Sequence, residues 1–441
     1  MRGMRITYDF TWLHKDAIGE RGVSSQELAA LEQAHPHPWK QILQNPYNWP
    51  LGWLDLEART AELSLVRQAL ARIENRNVLV TIGMGGSTLG TKALAATFVR
   101  QTGPSSFSAG ERELIVVDNL DEATTAEVIH RAGTQGVVLN PVSKSGNTLE
   151  TIANFLALSQ HPALADSPVV VTTGNRDGAL ATYARETGAP VLPVPEDVGG
   201  RFSALSPVSL FPLGFLGYPI EDLLEGATAA RSNLTADDYE SNPSLRLAAR
   251  LHLLATRRNF SELMLWIYCD ALREFGRWWE QLFAESLGKQ KQVASETVRV
   301  GLTPLAVSGP AAQHSLLQLA LDGPPNKISG FTKVAQTRAE LPALSHPPRG
   351  VAEFNYLQGR HLHEIASAEL EGTRSSLRHQ SLPSYLLILQ DLQPEVLGEL
   401  ILFFETAIAV MGVYLNIDPY TQPAVEESKQ LARKLLQQSP A

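Results

Sequence analysis

Short runs of aliphatic and β-branched residues alternate with helical stretches along most of this chain, and this alternation limits its fold more than any other feature. The first set of runs comprises Val78–Ile82, Leu114–Val117, Gly136–Val142, Pro168–Thr172 and Pro190–Val194. The second set comprises Leu263–Tyr268, Val298–Val307, Lys327–Val334 and Tyr385–Gln390. Continuously apolar strands separated by helices are typical of parallel sheets that are covered on both faces. The sequence therefore predicts an α/β protein with two similar halves in tandem.

Four regions follow from this pattern. Residues 1–60 show no clean periodicity and carry several tryptophans, which indicates a helical arm packed on the main body. Residues 61–235 are expected to form the first α/β domain and residues 236–420 the second. Residues 421–441 are expected to form a C-terminal helical tail.

The second half also contains four predicted helices. They are Glu274–Leu287, Gln313–Leu321, the strongly apolar Pro394–Leu415 and the polar Ala424–Gln437. The proline-rich residues 340–350 are expected to form a surface loop.

Composition narrows the class of protein. The net charge of -9, without a long Lys/Arg run, argues against a nucleic-acid partner but leaves room for a phosphorylated substrate. Cys269 is the only cysteine, so an intrachain disulfide is excluded and a reducing compartment fits. The first residues lack a secretory signal, and we expect no membrane-spanning segment. A cytoplasmic protein is the expectation.

The first candidate loop, Gly83–Gly90, directly follows a predicted strand. Its glycines allow backbone amides to approach an anion, and the following helix start favours negative charge. A dinucleotide fingerprint would need glycine where Thr88 stands, and a phosphate-binding P-loop would need lysine where Thr91 stands. Both nucleotide-binding interpretations fail by one position, and a plain strand-to-helix turn stays open as the alternative.

The second candidate loop, Ser143–Thr148, also lies between a predicted strand and a helix. Its hydroxyls and Lys144 can donate to a phosphate dianion. A structural alternative is that Asn147 caps the helix while Glu150 completes a capping box. Because ligands bind at the carboxyl ends of strands in open parallel sheets, the two loops together predict a phosphate site.

Six segments in order resemble the phosphoglucose isomerase family. They are Gly83–Gly90, Ser143–Thr151, Gly199–Ser203, Gln281–Lys289, Gln313–Ser315 and Gln422–Lys429. The resemblance spans roughly residues 77–429 and implies two tandem sugar isomerase (SIS) domains with flavodoxin-like sheets. It also implies a homodimer with shared active sites and no cofactor or metal.

The resemblance assigns roles to individual residues. The implied catalytic residues are Arg201, Glu285, His314 and Lys429, with His314 supplied by the neighbouring subunit. The implied substrate-binding residues are Gly86, Ser87, Ser143, Lys144, Ser145, Thr148, Gln281 and Gln422, and Glu150 is implied to orient the histidine. The Gly309–Ala312 turn and Ala424 depart from the family pattern. These departures are expected to affect loop geometry and rate more than chemistry, because each functional side chain is present.

The chemistry of the residues agrees with these roles. Aldose–ketose isomerisation needs one base that reaches both C1 and C2, and a carboxylate at Glu285 suits it. Glu285 lies near the end of a predicted amphipathic helix, on the face of Trp278 and Leu282, and Gly288 should end that helix.

Three cationic or titratable side chains have structural alternatives. Arg201 can stabilise an enediolate, or it can pair with Asp197 or Glu196. His314 suits proton transfer during ring opening, since imidazole titrates near neutrality, and Lys429 can assist there or simply be solvated. The His361-Leu362-His363 pair has the wrong spacing for a shared metal on a helix.

The resemblance therefore implies an aldose–ketose isomerase that interconverts glucose 6-phosphate and fructose 6-phosphate through a cis-enediol. Two alternatives stay open. One is a bifunctional phosphoglucose/phosphomannose isomerase, and the other is a non-catalytic SIS-domain sensor of sugar phosphates, which would not need Glu285, His314 and Lys429 together.

Overall fold

A computed structural model describes residues 4–103, 105–132, 136–293, 296–336, 341–347 and 351–438. The strands in this part of the chain are β1 (Ile6–Asp9), β2 (Val78–Ile82), β3 (Arg100–Gly103), β4 (Ser106–Ala109), β5 (Arg112–Val117), β6 (Val137–Ser143), β7 (Val171–Thr173), β8 (Val191–Pro193), β9 (Glu262–Ile267), β10 (Lys289–Val293), β11 (Glu296–Val300), β12 (Thr303–Ser308), β13 (Lys327–Val334) and β14 (Ser384–Leu389).

Helices connect and cover these strands. The α-helices are α1 (Lys15–Ile18), α2 (Ser25–Ala34), α3 (Pro38–Gln44), α4 (Leu56–Ala71), α5 (Leu89–Phe98), α6 (Glu122–Ala132), α7 (Leu149–Ser159), α8 (Ala179–Thr187), α9 (Pro207–Phe215), α10 (Ile220–Leu234), α11 (Pro243–Arg257), α12 (Arg273–Leu287), α13 (Gly309–Gln313), α14 (Leu317–Asp322), α15 (Leu362–His379), α16 (Pro394–Leu415) and α17 (Glu426–Gln438). Short 3-10 helices lie at Thr11–Leu13, Gly19–Arg21, Gly52–Leu54, Gly85–Ser87, Gly200–Phe202, Asp270–Leu272, Ala352–Leu357 and Pro423–Val425.

Two sheets confirm the predicted tandem α/β fold. The first has the order β3-β4-β5-β2-β6-β7-β8, and its strands from β5 to β8 are parallel. Numbered along the chain, these five parallel strands have the flavodoxin-like order 2-1-3-4-5. The second sheet has the order β1-β14-β13-β9-β12, which repeats the arrangement with four parallel strands.

The N-terminal segment contains a strand that the sequence analysis missed. β1 pairs antiparallel with β14 and occupies the fifth position of the second sheet. The buried Glu399 carboxylate on α16 secures it, accepting hydrogen bonds from the amides of Arg5 and Ile6 at 2.8 and 3.3 Å and from the Tyr8 hydroxyl at 3.0 Å. The segment is therefore partly β, and the expected boundary at residue 60 falls inside α4.

Two other predicted elements are divided in the structure. The run Val298–Val307 was predicted as one strand, but the chain turns at Gly301 between β11 and β12. β11 pairs with β10 in a separate hairpin, whereas β12 joins the second sheet. The predicted helix Gln313–Leu321 is divided into α13 and α14, so His314 lies between them.

The expected surface loop lies partly within the described residues. Residues 341–347 contain neither helix nor strand, whereas 340 and 348–350 lie outside the described chain.

The two faces of each sheet contact different apolar clusters. In β2, Leu79 joins a large central cluster, while Val78 and Val80 join a second cluster beneath α6, α7 and α8. In β9, Leu263 joins the same central cluster, while Trp266 joins a third. The alternation follows from the two-residue period of a strand, and the central cluster joins the inner faces of both sheets.

Helix α16 lies at the centre of this core. By length and hydropathy it could cross a membrane, contrary to the expectation that no segment would, yet its most apolar 18-residue window is 100% buried in protein. It packs closely on α10: a side-chain carbon on Gly398 would lie 2.0 Å from the Leu223 carbonyl oxygen. Glycine is required there because no other side chain fits.

Helix α12 brings the second half of the chain onto the first. The buried amine of Lys92 on α5 lies 3.0 Å from the Asp118 carboxylate and 3.7 Å from that of Glu274 at the start of α12. Removing one member of such a buried ion group leaves the others uncompensated, so the group holds α12 in place.

This packing generates a prediction about stability. Gly398→Ala should lower the free energy of unfolding by about 2 kcal/mol, because the added methyl overlaps the Leu223 carbonyl of α10. The midpoint of urea-induced unfolding measures the effect.

The matched control is Gly372→Ala, within α15, where an added methyl meets no atom within 4 Å. That change should be neutral or stabilise the protein by up to about 1 kcal/mol through helix propensity. Equal effects of the two substitutions would contradict the close helix contact.

Candidate active site

Two loops meet where the strand order of the first sheet reverses. β2 has β5 on one side and β6 on the other, and all three run parallel. The loop after β2 and the loop after β6 therefore leave the same edge of the sheet side by side. A side-chain carbon on Gly83 would lie 3.0 Å from the Val142 carbonyl oxygen, which shows how closely the two loops approach. This is the position at which open α/β sheets bind ligands.

The loop after β6 presents a connected group of hydroxyls. The buried Ser143 Oγ lies 2.8 Å from Thr148 Oγ1 and 3.3 Å from Ser145 Oγ. It also accepts a hydrogen bond from the Gly146 amide at 3.1 Å. Ser143 thus orients two neighbouring hydroxyls, each of which has a rotatable proton that it can donate to an anion.

The capping-box alternative for this loop is wrong. Thr148, not Asn147, occupies the N-cap position of α7. The Asn147 Oδ1 instead accepts a hydrogen bond of 2.9 Å from the Ala179 amide at the start of α8. Asn147 therefore links the loop to the start of α8, and α7 begins directly after Thr148.

Lys144 links the hydroxyl loop to a later segment of the chain. Its amine donates to the Glu196 carbonyl at 2.8 Å, on the segment that leads to Arg201. Burial lowers the pKa of Lys144, and the carboxylates of Asp197 and Glu196 act in the opposite direction. The structure thus places this cation between the hydroxyl loop and the following one.

The loop after β2 contacts both other parts of the site. A side-chain carbon on Gly86 would lie 2.1 Å from the Gly200 carbonyl oxygen, and Ser203 Oγ donates to the Gly86 carbonyl at 3.1 Å. Glycine at position 86 is therefore required for the turn that carries Arg201 to approach. Ser87 closes the 3-10 turn of this loop, just before α5 begins.

Gln281 reaches the same loop from α12. Its Nε2 lies 2.7 Å from where a side-chain carbon on Gly85 would be. Its Oε1 is buried and has no hydrogen-bond partner within the described chain. Buried polar atoms almost always have partners, so this acceptor is suited to a ligand hydroxyl.

The Arg201 guanidinium joins its own turn to α12 and to residues 419–422. It is 5% exposed, and Nη1 donates to Glu285 Oε2 at 2.8 Å and to Gln422 Oε1 at 2.9 Å. Nε donates to Ser286 Oγ at 3.0 Å, and Nη2 to the Pro419 carbonyl at 2.9 Å. The alternative in which Arg201 pairs with Asp197 or Glu196 is wrong, because its carboxylate partner is Glu285.

Glu285 lies in the last turn of α12, which ends at Leu287 before Gly288 as predicted. Its side chain is 36% exposed, so it is neither in bulk solvent nor sealed in the core. Since Oε2 is held by Arg201, the carboxylate has a fixed orientation at the opening of the site.

Lys289 is a residue of this site that the sequence analysis overlooked. Its amine donates to the carbonyls of Glu285 and Thr421. Burial and the neighbouring Arg201 cation lower the pKa of Lys289 to about 8, while Asp418 and Glu285 act in the opposite direction. The residue ends the quoted Gln281–Lys289 segment, but no spacing rule distinguishes it from a solvated lysine.

Among the described residues, no hydrogen bond or ion pair joins the remaining predicted residues to Arg201 or Glu285. His314 is exposed and directly follows α13. The last residue of α13, Gln313, donates hydrogen bonds to Tyr268 and Thr373. Lys429 lies on α17, which has no buried residue, and pairs with Glu426 at 2.8 Å. Glu150 lies half-buried in the first turn of α7.

Metal ligands are not grouped in the described part of the chain: no three His, Cys, Asp or Glu side chains there could hold one ion. The rings of His361 and His363 stack at 5.4 Å, and His361 Nδ1 lies 3.1 Å from the Leu341 carbonyl oxygen.

The fold and this site define an α/β protein of the SIS type, with hydroxyl and glycine loops suited to a phosphorylated sugar beside an arginine-held carboxylate. The profile of the phosphoglucose isomerase family matches residues 69–441. The chain belongs to that family.

Individual relatives agree with this assignment. A protein of Methanococcus maripaludis named as a probable glucose-6-phosphate isomerase is 30% identical over 440 residues, covering 98% of this chain and 94% of the relative. A glucose-6-phosphate isomerase of Carboxydothermus hydrogenoformans is 34% identical over 82% of this chain and 79% of its own. The crystal structure of a hypothetical protein from Thermus thermophilus matches with a TM-score of 0.84 and 29% identity, covering 98% of this chain and 99% of its own.

The position of Lys289 generates a prediction about pH. A lysine with a pKa of about 8 is cationic below that pH and neutral above it. The turnover rate should therefore fall as the pH rises through about 8, because positive charge beside Glu285 and Arg201 is lost. Lys289→Met should lower kcat about 10-fold or more and remove this step from the pH–rate profile.

The control is Lys289→Arg, which keeps a cation at all working pH values and should keep kcat constant above pH 8. A wild-type profile whose high-pH limb is unchanged in Lys289→Met would contradict the assignment.

Proposed function

We propose that this protein is a glucose-6-phosphate isomerase that interconverts glucose 6-phosphate and fructose 6-phosphate through a cis-enediol. One observation carries the proposal: a carboxylate, Glu285, is held by a buried arginine whose turn packs on the glycine loop, and that loop lies beside the hydroxyl loop. Membership of the phosphoglucose isomerase family supports it. The bifunctional isomerase and the non-catalytic sensor are not favoured by the comparisons.

The phosphate end of the substrate is proposed to bind the hydroxyl loop. Ser143 orients Ser145 and Thr148, and Ser87 contributes from the neighbouring loop. Several hydroxyl donors and a helix start together match the charge of a phosphate dianion. Lys144, whose amine binds the Glu196 carbonyl, adds positive potential at the edge of this group.

The sugar is proposed to extend from this loop toward Arg201. Gly86 lets the turn that carries Arg201 approach the glycine loop, and the free Oε1 of Gln281 accepts a sugar hydroxyl. Gln422, bound to Arg201 through Oε1, lines the opposite wall. In this orientation, C1 and C2 are proposed to lie near the Glu285 carboxylate.

Glu285 is proposed as the base that moves a proton between C1 and C2. A single carboxylate serves both carbons because they are adjacent. Negative charge develops on the enediolate oxygens during this transfer. The Arg201 cation, already fixed by five hydrogen bonds, stabilises that charge without reorganising.

His314 and Lys429 are proposed to assist ring opening. Within one chain no hydrogen bond or ion pair of the described residues joins either side chain to Glu285. We therefore propose a homodimer in which a second copy supplies His314, oriented by Glu150, to the site. The exposed α17, with Leu431, Leu435 and Leu436 outside the core, fits an assembly larger than one chain.

A cytoplasmic location is part of the proposal. The single cysteine, Cys269, supports a reducing compartment.

The first test concerns the base. Glu285→Gln should lower kcat about 1,000-fold or more and abolish exchange of the C2 proton with solvent, because an amide cannot accept that proton. The measurement combines a coupled assay of glucose 6-phosphate formation with proton exchange by NMR in deuterated solvent.

The matched control is Glu280→Gln on the same helix, whose carboxylate accepts a hydrogen bond from the Ala306 amide at 2.7 Å. It should retain most activity. A well-folded wild-type protein that does not convert fructose 6-phosphate would overturn the proposed function, and retained exchange in Glu285→Gln would overturn the base.

The second test concerns shared sites. Glu285→Gln and His314→Ala proteins are each expected to be inactive, but in hybrid dimers one of the two sites has both wild-type residues. Mixing them under conditions of subunit exchange should restore up to about a quarter of wild-type activity, since half the dimers are hybrids with one intact site. No recovery despite exchange verified by mass spectrometry would contradict the shared site.

A further inference from the structure

A charged cleft is lined by residues that do not belong to the active site. It has a volume of about 580 Å³ and separates the N-terminal segment from α11 and α15. Its walls carry three arginines: Arg246 and Arg250 from α11 and Arg378 from α15. We refer to it as the arginine cleft.

Aromatic rings fix the arginine side chains in place. The guanidinium carbons of Arg246 and Arg250 lie 5.3 and 5.9 Å from the centre of the Phe10 ring. That of Arg378 lies 5.3 Å from the centre of the Trp12 ring. Such cation–π contacts orient a guanidinium without using its N–H donors. Of the Arg378 donors, Nε donates to the Ala17 carbonyl at 3.4 Å.

These arginines have no ion-pair partner in the described ranges. The contrast is Arg374, which also contacts Trp12 but pairs with Asp9 at 2.9 Å and Glu371 at 3.3 Å. The Nε of Arg250 is buried and makes no hydrogen bond, and its Nη1 binds only the Arg246 carbonyl. The chain has more acids than bases, 46 against 37, so this arrangement is not a shortage of carboxylates.

The electrostatics of the cleft are unfavourable as it stands. Burial and the neighbouring Arg246 cation lower the pKa of Arg250 to about 10, and Glu240 only partly opposes them. The one acid in the lining, Asp16, pairs with His14 at 3.3 Å and extends into solvent with 88% of its side chain exposed. Like charges gathered without a counter-ion destabilise a structure unless an anion binds them.

We propose that the arginine cleft is a second binding site, distinct from the active site, for a small phosphate-bearing polyanion. Arg246, Arg250 and Arg378 supply the charge-assisted hydrogen bonds, with the planar fork geometry that suits phosphate oxygens.

The aromatic rings of the lining do not suit a ligand that binds by stacking a base. Phe10 is 2% exposed, so its ring is unavailable for stacking with a base. The Trp12 ring already contacts two guanidiniums. A ligand recognised here is therefore held by its negative charges.

The test is isothermal titration calorimetry with inorganic pyrophosphate at low ionic strength. Since the hydroxyl loop of the active site also takes phosphate, each titration is made in wild type and in Ser145→Ala. Arg250→Gln and Arg246→Gln should each weaken pyrophosphate binding at the arginine cleft about 10-fold or more, in wild type and in Ser145→Ala. Arg250→Lys should retain part of the binding at the arginine cleft. Ser145→Ala should weaken only the binding at the hydroxyl loop of the active site.

The matched control is Arg433→Gln, the same change of charge on the exposed α17. It should leave pyrophosphate binding unchanged. Binding that is lost with Ser145→Ala alone and is unaffected by folded Arg246→Gln and Arg250→Gln proteins would overturn the proposal. In that case the arginines only hold the N-terminal segment against the body.

Discussion

The Arg201 guanidinium is the interaction on which the active site depends. Five N–H groups on one rigid plane bind acceptors from α12 and from the segment before the C-terminal helix. Because arginine stays charged at all working pH values, the cation permanently compensates the carboxylate beside it. Glu285, Ser286 and Gln422 come from positions up to about 140 residues apart, yet one buried side chain gives them a common orientation. Without it, the site would lose both its charge balance and its geometry.

Close packing between the two halves of the chain makes this arrangement possible. α12 belongs to the second half, but it lies on α5 of the first, where Lys92 pairs with Glu274 and Asp118. At the other end of α12, Gln281 and the turn before Arg201 close on the Gly85-Gly86 backbone. The base and the phosphate loops therefore come together only when both halves are folded against each other. The catalytic proposal is thus also a statement about how the halves pack.

Much of the framework could be predicted from the sequence. Strands β2 and β13 begin and end where the apolar runs do, and the two loops lie at adjacent strand ends as expected. Failures occurred where a distant partner decides the local structure. β1 forms because β14 and Glu399 offer it hydrogen bonds, and Asn147 caps α8 rather than α7 because tertiary folding brings α8 within reach. The turn at Gly301 likewise divides one apolar run between two sheets.

The sequence by itself determined the class of fold, most of the parallel strands and the residues suited to a phosphorylated sugar. These features depend on periodicity and on short segments, which are local properties of the chain. Only the tertiary structure decided that Arg201 binds Glu285 and not Asp197 or Glu196, that Lys289 lies beside them, and that three arginines meet without carboxylates. The physical reason is that hydrogen bonds and charge interactions act over a few ångströms in space, whatever the separation along the chain.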